Sequence, residues 1–369
     1  MSKRPVVVYG ASGYTGQLTC EFLRHFQIPF IAAGRSRARV EEAMKRVPGI
    51  ETAEYEVAEV EHGVEALTEL FAGAKVVCNV VGPFLLYGET VVQAALAAGC
   101  HYLDTTGEQA FMLEMRDRYS PEYAQRGLLF APCTAYQNAV MDIACHACAE
   151  HEDIDTIEAV TIPAVTPTVG SAHTLVQMAR AREHFLENGR LTAWPPAYSA
   201  ELTAPFTSRT MLGIPGAGLA PPLWFAQHPR IRNLKALCAF GRRELAEQIL
   251  GINKYYHTEL AKLPEEEQVK ALAKIADGVQ SGMPPRENPL TARNWDIATG
   301  SGLTGSVRYV IYSHSGYQQT GLLQAMAAGF LLRMPEPPAG FLSPSQAFGY
   351  REVLATLERF GYARMVKEA

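Results

Sequence analysis

Val6-Val7-Val8-Tyr9-Gly10-Ala11-Ser12-Gly13-Tyr14-Thr15-Gly16 decides the fold of this 369-residue chain. Pro5 to Tyr9 is a short β-branched run, as expected of a strand buried on both faces. The glycine-rich turn after it leads into an amphipathic segment with Leu18, Phe22, Leu23 and Phe26 at helical spacing. Gly10 permits a tight turn, Gly13 allows close approach of backbone to a pyrophosphate, and Gly16 lets the helix pack closely on the strand. The helix amino terminus offers free N–H groups and a positive dipole end to phosphate. Strand, turn and helix in this order point to a dinucleotide site built from Gly10, Ser12, Gly13, Tyr14, Thr15 and Gly16.

The second strand, Phe30 to Ala33, selects the dinucleotide. Where an NAD protein normally places Asp or Glu for the ribose 2′-hydroxyl, this chain has Gly34-Arg35-Ser36-Arg37. Arg35, Ser36 and Arg39 suit a 2′-phosphate dianion, so NADP(H) is the expected cofactor. Further strands are expected at Glu54–Val60, Ala74–Val81, His101–Thr105 and Leu128–Pro132, with helices at Gly63–Phe71 and Thr90–Ala98. Such alternation implies a doubly wound parallel α/β sheet of the Rossmann kind, with ligands outside the carboxyl ends of its strands. Glu59 and Val60 then fall near the adenine. Val81, Gly82, Pro83, Phe84, Thr106 and Gly107 complete the expected cofactor set.

The stretches Asn79-Val80-Val81-Gly82-Pro83-Phe84-Leu85-Leu86-Tyr87-Gly88-Glu89 and His101-Tyr102-Leu103-Asp104-Thr105-Thr106-Gly107-Glu108 closely resemble the saccharopine dehydrogenase-like oxidoreductases. That family includes trans-acting enoyl reductases. The resemblance covers Val6 to about Pro132 and returns weakly at Gly316–Thr320 and in the last thirty residues. It implies that Gly82, Pro83 and Phe84 border the dinucleotide and that Tyr87-Gly88-Glu89 opens a helix on its nicotinamide side. Where many relatives carry a Gly-Phe-Asp-Ser-(Ile/Val)-Pro-like segment, this chain reads Thr134-Ala135-Tyr136-Gln137-Asn138-Ala139. The relatives' substrate chemistry therefore does not transfer.

Composition bounds the rest. Hydrophobic residues make up 48% and charged residues 19%, with a net charge of -5, which gives no reason to expect nucleic acid as a partner. No apolar run reaches the roughly 18 residues of a membrane span. The amino-terminal residues run into a strand without a signal-like apolar region, so a cytoplasmic location is expected. Seven cysteines without framework spacing fit a reducing compartment. Cys145 and Cys148, formally C-x-x-C, fall inside an apolar helix and read as core, and no metal site is expected.

Beyond residue 140 the pattern is α+β. Strands are expected at Thr156–Val165 and Tyr198–Phe206, helices at Ser171–Asn188 and Arg242–Gly278, and a hairpin at Trp295–Thr299 and Ser306–His314. The expected domains are 1–140, 141–335 and a helical 336–369 that packs back on the first, with a helix from Ser343 to Glu358. Met211 to Phe225 is apolar but studded with helix breakers; it reads as a lid, a dimer arm or a packed loop. Chain length and this segment admit a homodimer.

A reductase must also supply a proton or stabilise an oxyanion. Tyr136, just past the sixth strand, is the leading candidate, with Tyr87, His173 and Asn138 as alternatives. The leading functional reading is an NADPH-dependent reductase of a conjugated double bond or carbonyl in a small apolar substrate. An imine or amino-acid dehydrogenase of the saccharopine type is the second reading. The third is a non-catalytic NADP-binding sensor or assembly protein.

Overall fold

The computed structural model describes residues 4–164, 166–204, 207–216, 218–279 and 282–368. It divides into two compact units. The first holds residues 1–106, 111–139 and 317–357; the second holds 107–110, 140–316 and 358–369.

The first unit is a seven-stranded parallel sheet. Its strands β1 (Val6–Tyr9), β2 (Phe30–Gly34), β3 (Tyr55–Glu59), β4 (Val76–Asn79), β5 (His101–Asp104) and β6 (Leu129–Ala131) alternate with helices. Their spatial order is β6-β5-β4-β1-β2-β3, so the direction of winding reverses between β1 and β4. Val6, Val7 and Val8 are fully buried, because the central strand of a parallel sheet is covered on both faces. Residues Gly340–Phe341 add a seventh strand, parallel to β6.

Close packing at the first turn explains its glycines. Gly10 has a φ of +98°, and a Cβ on it would lie 2.8 Å from the Val81 side chain, after β4. A Cβ on Gly16 would lie 2.4 Å from the Gly10 carbonyl oxygen and 2.7 Å from the Ala11 Cα. Those are backbone atoms with no rotamer to move away, so helix Tyr14–His25 reaches this depth only with glycine at 16.

The helix after β4 starts at Phe84, six residues earlier than expected. Gly88 permits it: a Cβ there would lie 2.4 Å from the Phe111 ring, which packs against Phe84 at a centroid distance of 5.8 Å. Helix Gln109–Gln125, absent from the sequence reading, fills the connection between β5 and β6. The expected helix from Ser343 is two, Pro344–Phe348 with a Ser343/Gln346 capping box and Tyr350–Arg359, parted at Gly349 with φ +81°.

The second unit is a nine-stranded mixed sheet. Its path runs Ala200–Thr203, Thr210–Ile214, Asn233–Ala239, Ile154–Ile162, Arg293–Gly302, Ser306–His314 and Ala363–Glu368, with hairpin His184–Glu187/Arg190–Ala193 branching from Asn233–Ala239. Only the pair Asn233–Ala239 and Ile154–Ile162 is parallel on this path. The carboxyl-terminal stretch is therefore not helical to its end: Ala363–Glu368 is an edge strand on Ser306–His314.

The expected helix Ser171–Asn188 stops at Gln177. Its second half belongs to the hairpin, which turns at Asn188 (φ +50°) and Gly189 (φ +76°). Asn-Gly is a strong hairpin signal, and it outweighs the helical spacing around it. Of the expected strand Tyr198–Phe206, Ala200–Thr203 is a strand and residues 205 and 206 lie outside the described residues; Val165, the end of another expected strand, does too.

In Met211–Phe225, residue 217 is outside the described set, but Met211, Leu212, Ile214, Leu219, Ala220, Leu223, Trp224 and Phe225 are buried. This segment is packed into the second unit. Cys145 and Cys148 lie buried in helix Tyr136–Ala149, and burial pushes the Cys148 thiol up to about 12. Both are core residues, without thiolate reactivity at neutral pH.

Gly16→Ala is expected to lower unfolding stability by about 1–3 kcal/mol through overpacking against backbone. Gly251→Ala has open space around it in helix Arg243–Thr258, and should raise stability by about 0.5–1 kcal/mol. Urea unfolding of the two variants beside the wild type checks both signs.

Candidate functional site

The carboxyl ends of β1, β2, β4, β5 and β6 line one edge of the sheet, and a sheet of this type takes its ligand where the winding reverses, between β1 and β4. The turn after β1 is anchored to β2 by hydrogen bonds from the Gly10 and Ala11 amides to the Ala33 carbonyl, at 2.9 and 3.1 Å. Gly13 caps the following helix with no side chain, and the helix has no acidic residue in its first turn. The helix end therefore keeps its positive character for an anion.

At the end of β2, the side chains divide by task. Arg37 is fixed: its Nε meets Glu41 at 2.8 Å, its Nη1 donates to the Val57 carbonyl at 3.0 Å, and its amide donates to Glu59 Oε2 at 2.6 Å. Ser36 caps helix Arg37–Met44 by accepting from the Arg39 amide at 3.4 Å. Arg35 and Arg39 are exposed, and among the described residues neither forms an ion pair. Glu59 thus lies at the amino end of that helix, while Val60, buried, donates its amide to the Gly34 carbonyl at 3.0 Å.

Tyr9, His62 and Tyr87 form an aromatic group that the sequence reading did not assemble. Tyr9 Oη lies 2.9 Å from His62 Nδ1, and the Tyr87 ring meets the His62 ring edge-on at 5.5 Å. The Arg35 charge is felt at both Tyr9 and His62. Burial and that charge lower the His62 pKa; burial raises that of Tyr9 in spite of it. Tyr87 thus packs beside His62, whose ring feels the Arg35 charge.

Behind the strand ends lies a buried polar chain. Asn79 Nδ2 donates to Tyr102 Oη at 3.0 Å, and Tyr102 donates to Asp104 Oδ2 at 2.9 Å. Asp104 Oδ1 accepts from the amides of Thr106 and Cys133, at 2.9 and 2.7 Å, and Asn79 Oδ1 accepts from the Val81 amide at 3.1 Å. Cys133 holds a left-handed φ of +62°, rare without glycine, and the Asp104 carboxylate fixes it. Gln324 Nε2 ties the carbonyls of Asp104 and Thr134 together at 2.8 and 2.7 Å. These side chains set the turns after β4, β5 and β6, the segments expected to border the ligand. Asn79 and Asp104 were visible in the family-like stretches, but their joint role depends on side chains of β4 and β5 meeting in the core.

The remaining candidates separate. Tyr136 begins helix Tyr136–Ala149 just past β6, buried, with its amide donating to Thr320 Oγ1 at 3.0 Å. His173 lies inside helix Val169–Gln177 of the second unit, its Nε2 2.9 Å from Asp277. That contact gives His173 a helix-bridging place instead of a helix-start one. Asn138 is buried. Thr106 stays with the first unit, whereas Gly107 belongs to the second. There its carbonyl oxygen lies 1.5 Å from where a Cβ on Gly218 would sit, so Gly218 packs directly on it.

Residues 6–127 match the saccharopine dehydrogenase NADP binding domain. Residues 139–367 match a family of unknown function, DUF5938.

The chain belongs to the DUF5938 family.

Among curated relatives it is 32% identical over 168 residues to a lipid droplet localized protein of Caenorhabditis elegans, covering 43% of this chain and 39% of that one. It is 30% identical over 152 residues to a mouse saccharopine dehydrogenase-like oxidoreductase, covering 37% and 35%. A Mycobacterium tuberculosis protein provisionally named a trans-acting enoyl reductase is 32% identical over 145 residues, covering 38% and 34%. The match spans little more than a third of each relative. In fold, the chain is similar to saccharopine dehydrogenase (L-Glu forming) of Saccharomyces cerevisiae, with a TM-score of 0.61 at 12% identity over 99% of this chain and 100% of that one. Residues 6–127 of this DUF5938 member are thus an NADP-binding domain of the kind saccharopine dehydrogenase carries. Among the described residues no helix is long and apolar enough to cross a membrane, and no group of metal-ligating side chains assembles.

Burial pushes the Asp104 carboxyl up to about 7 against the pull of its three donors. The folded state therefore binds a proton that the unfolded chain has already released between about pH 4 and pH 7, so this group's contribution to stability falls as pH rises through that window and is level above it. Asp104→Asn should remove that decline. Chemical unfolding of both proteins from pH 4.5 to 8 should show the wild type losing ground to the variant as pH rises; a constant difference contradicts the assignment.

Proposed function

We propose that the protein is an NADP(H)-dependent oxidoreductase that reduces a conjugated C=C bond or a carbonyl of a small, largely apolar substrate. The observation that carries the reading is the pairing of a glycine-lined helix end after β1 with two unpaired arginines, Arg35 and Arg39, after β2. The glycine cradle would hold the pyrophosphate on helix amides. Arg35, Arg39 and the Ser36 hydroxyl would hold the 2′-phosphate. Because Glu59 takes the Arg37 amide, side chains rather than the amino end of helix Arg37–Met44 carry that recognition.

When bound, the nicotinamide supplies hydride chemistry. The protein's part is to position and to handle the proton. Val81, Gly82, Pro83 and Phe84 after β4, and Thr106 after β5, are held by the Asn79–Tyr102–Asp104 chain, which keeps the bordering backbone fixed. Tyr136 is the proton donor in this reading: it follows β6 directly and its backbone is fixed through Thr320. Tyr87, beside His62, and His173, beside Asp277, stand in other environments. The enoyl or carbonyl substrate class is supported by the named enoyl reductase among the relatives.

Fluorescence titration with NADPH and NADH tests the cofactor side. Arg35→Ala should weaken NADPH binding by about ten- to a hundredfold, the loss of about 1.5–3 kcal/mol from a charge-assisted contact, and leave NADH unchanged. Equal affinity for both nucleotides in the wild type would refute the 2′-phosphate reading. With enones, enoyl thioesters and aldehydes as substrates, Tyr136→Phe should lower kcat by about 10²–10⁴ without changing NADPH affinity.

A further inference from the structure

The second unit contains a cavity of about 240 Å³ that none of the cofactor-binding segments enters. One wall is aromatic and rigid: Trp194 packs between Phe185 and Tyr198, with centroids 4.5 and 4.4 Å away. Ile249 and Leu250, on helix Arg243–Thr258, supply an aliphatic wall. Glu183 lines the same space, and its Oε2 is sealed from solvent with no hydrogen-bond partner. Its backbone is fixed, the Glu183 carbonyl accepting from the Trp194 amide at 2.9 Å. An unsatisfied buried carboxyl oxygen costs about 1–3 kcal/mol, and native structures retain few such groups without a reason. Two cations border the cavity, Arg182 and Lys254; both are exposed, and among the described residues neither forms an ion pair.

From this arrangement we infer that the second unit binds a small amphipathic carboxylate. Its apolar body lies against Trp194, Ile249 and Leu250, a carbonyl or similar acceptor oxygen faces Glu183, and the carboxylate lies towards Arg182 and Lys254. Glu183 suits the middle role. Burial first, and the charge of Glu108 second, push its carboxyl up to about 8, so at neutral pH it carries a proton to donate. Convergent apolar walls, one neutral acid and two free cations are the marks of a ligand pocket rather than of core packing. The inference concerns the second unit alone and does not depend on the cofactor reading.

The test uses the full chain without nucleotide and a defined probe, 4-oxo-4-phenylbutanoate, which carries an aromatic ring, a ketone and a carboxylate. Its neutral counterpart is the primary amide. Isothermal titration should give one saturable site for the carboxylate and at least tenfold weaker binding for the amide. Lys254→Glu, at an exposed position, should weaken the carboxylate about tenfold and leave the amide unchanged. Glu183→Gln keeps a donor and should retain binding, whereas Glu183→Leu should lose about tenfold for both probes. Leu250→Trp, which fills the cavity, should abolish both, with circular dichroism reporting that the variant is folded. Absence of saturable binding up to millimolar probe would overturn the inference, as would carboxylate binding indifferent to Lys254→Glu. NADPH affinity, measured on the same samples, stays as in the wild type whichever way the pocket result falls.

Discussion

Helix Tyr14–His25 lies so close over the turn after β1 that position 16 has no room for a single methyl group, which would come 2.4 Å from the Gly10 carbonyl oxygen. Much of the first unit follows from that approach. It points the helix amino end at the carboxyl edge of β1, and Gly10, left-handed, brings the same turn against Val81 after β4. The reversal of winding between β1 and β4 thereby becomes a crevice lined by amides, with no acidic side chain at the helix end to compete for an anion.

A second constraint is polar. The chain from Asn79 through Tyr102 to Asp104 is buried, so each of its members must find partners inside the protein. They find them in one another and in the amides of Val81, Thr106 and Cys133, which begin the turns after three successive strands. Fold and site are thus stabilised by the same hydrogen bonds. A carboxyl held near its titration point at neutral pH is the consequence of placing an acid there.

Much of this was legible locally. The glycine turn, the missing acid after β2 and the six strands β1 to β6 depend on neighbours within a few residues, and the structure has them where the sequence implies. The failures share a physical cause, which is that distant partners decide. Residues 171–188 carry helical spacing, yet the Asn188-Gly189 turn and pairing across the hairpin take their second half into a sheet. Gly340–Phe341 is a strand only because β6 offers an edge some two hundred residues earlier in the chain. His173 is occupied by Asp277, a residue over a hundred positions away. Glu183 looks like any surface glutamate until the fold brings it to the same cavity as Trp194, Ile249 and Leu250. The group of Tyr9, His62 and Tyr87 likewise exists only once the end of β1, the loop after β3 and the helix after β4 meet.

The central claim is that the first unit recognises NADP through the turn after β1 and the arginines after β2 together. Hydrogen–deuterium exchange read by mass spectrometry, with NADP⁺ and NAD⁺ added separately at saturation, addresses both parts in one measurement. The account predicts that both nucleotides slow exchange at residues 10–16 and that only NADP⁺ slows it at residues 35–39. Slowed exchange at neither segment, or the same pattern with both nucleotides, would contradict it.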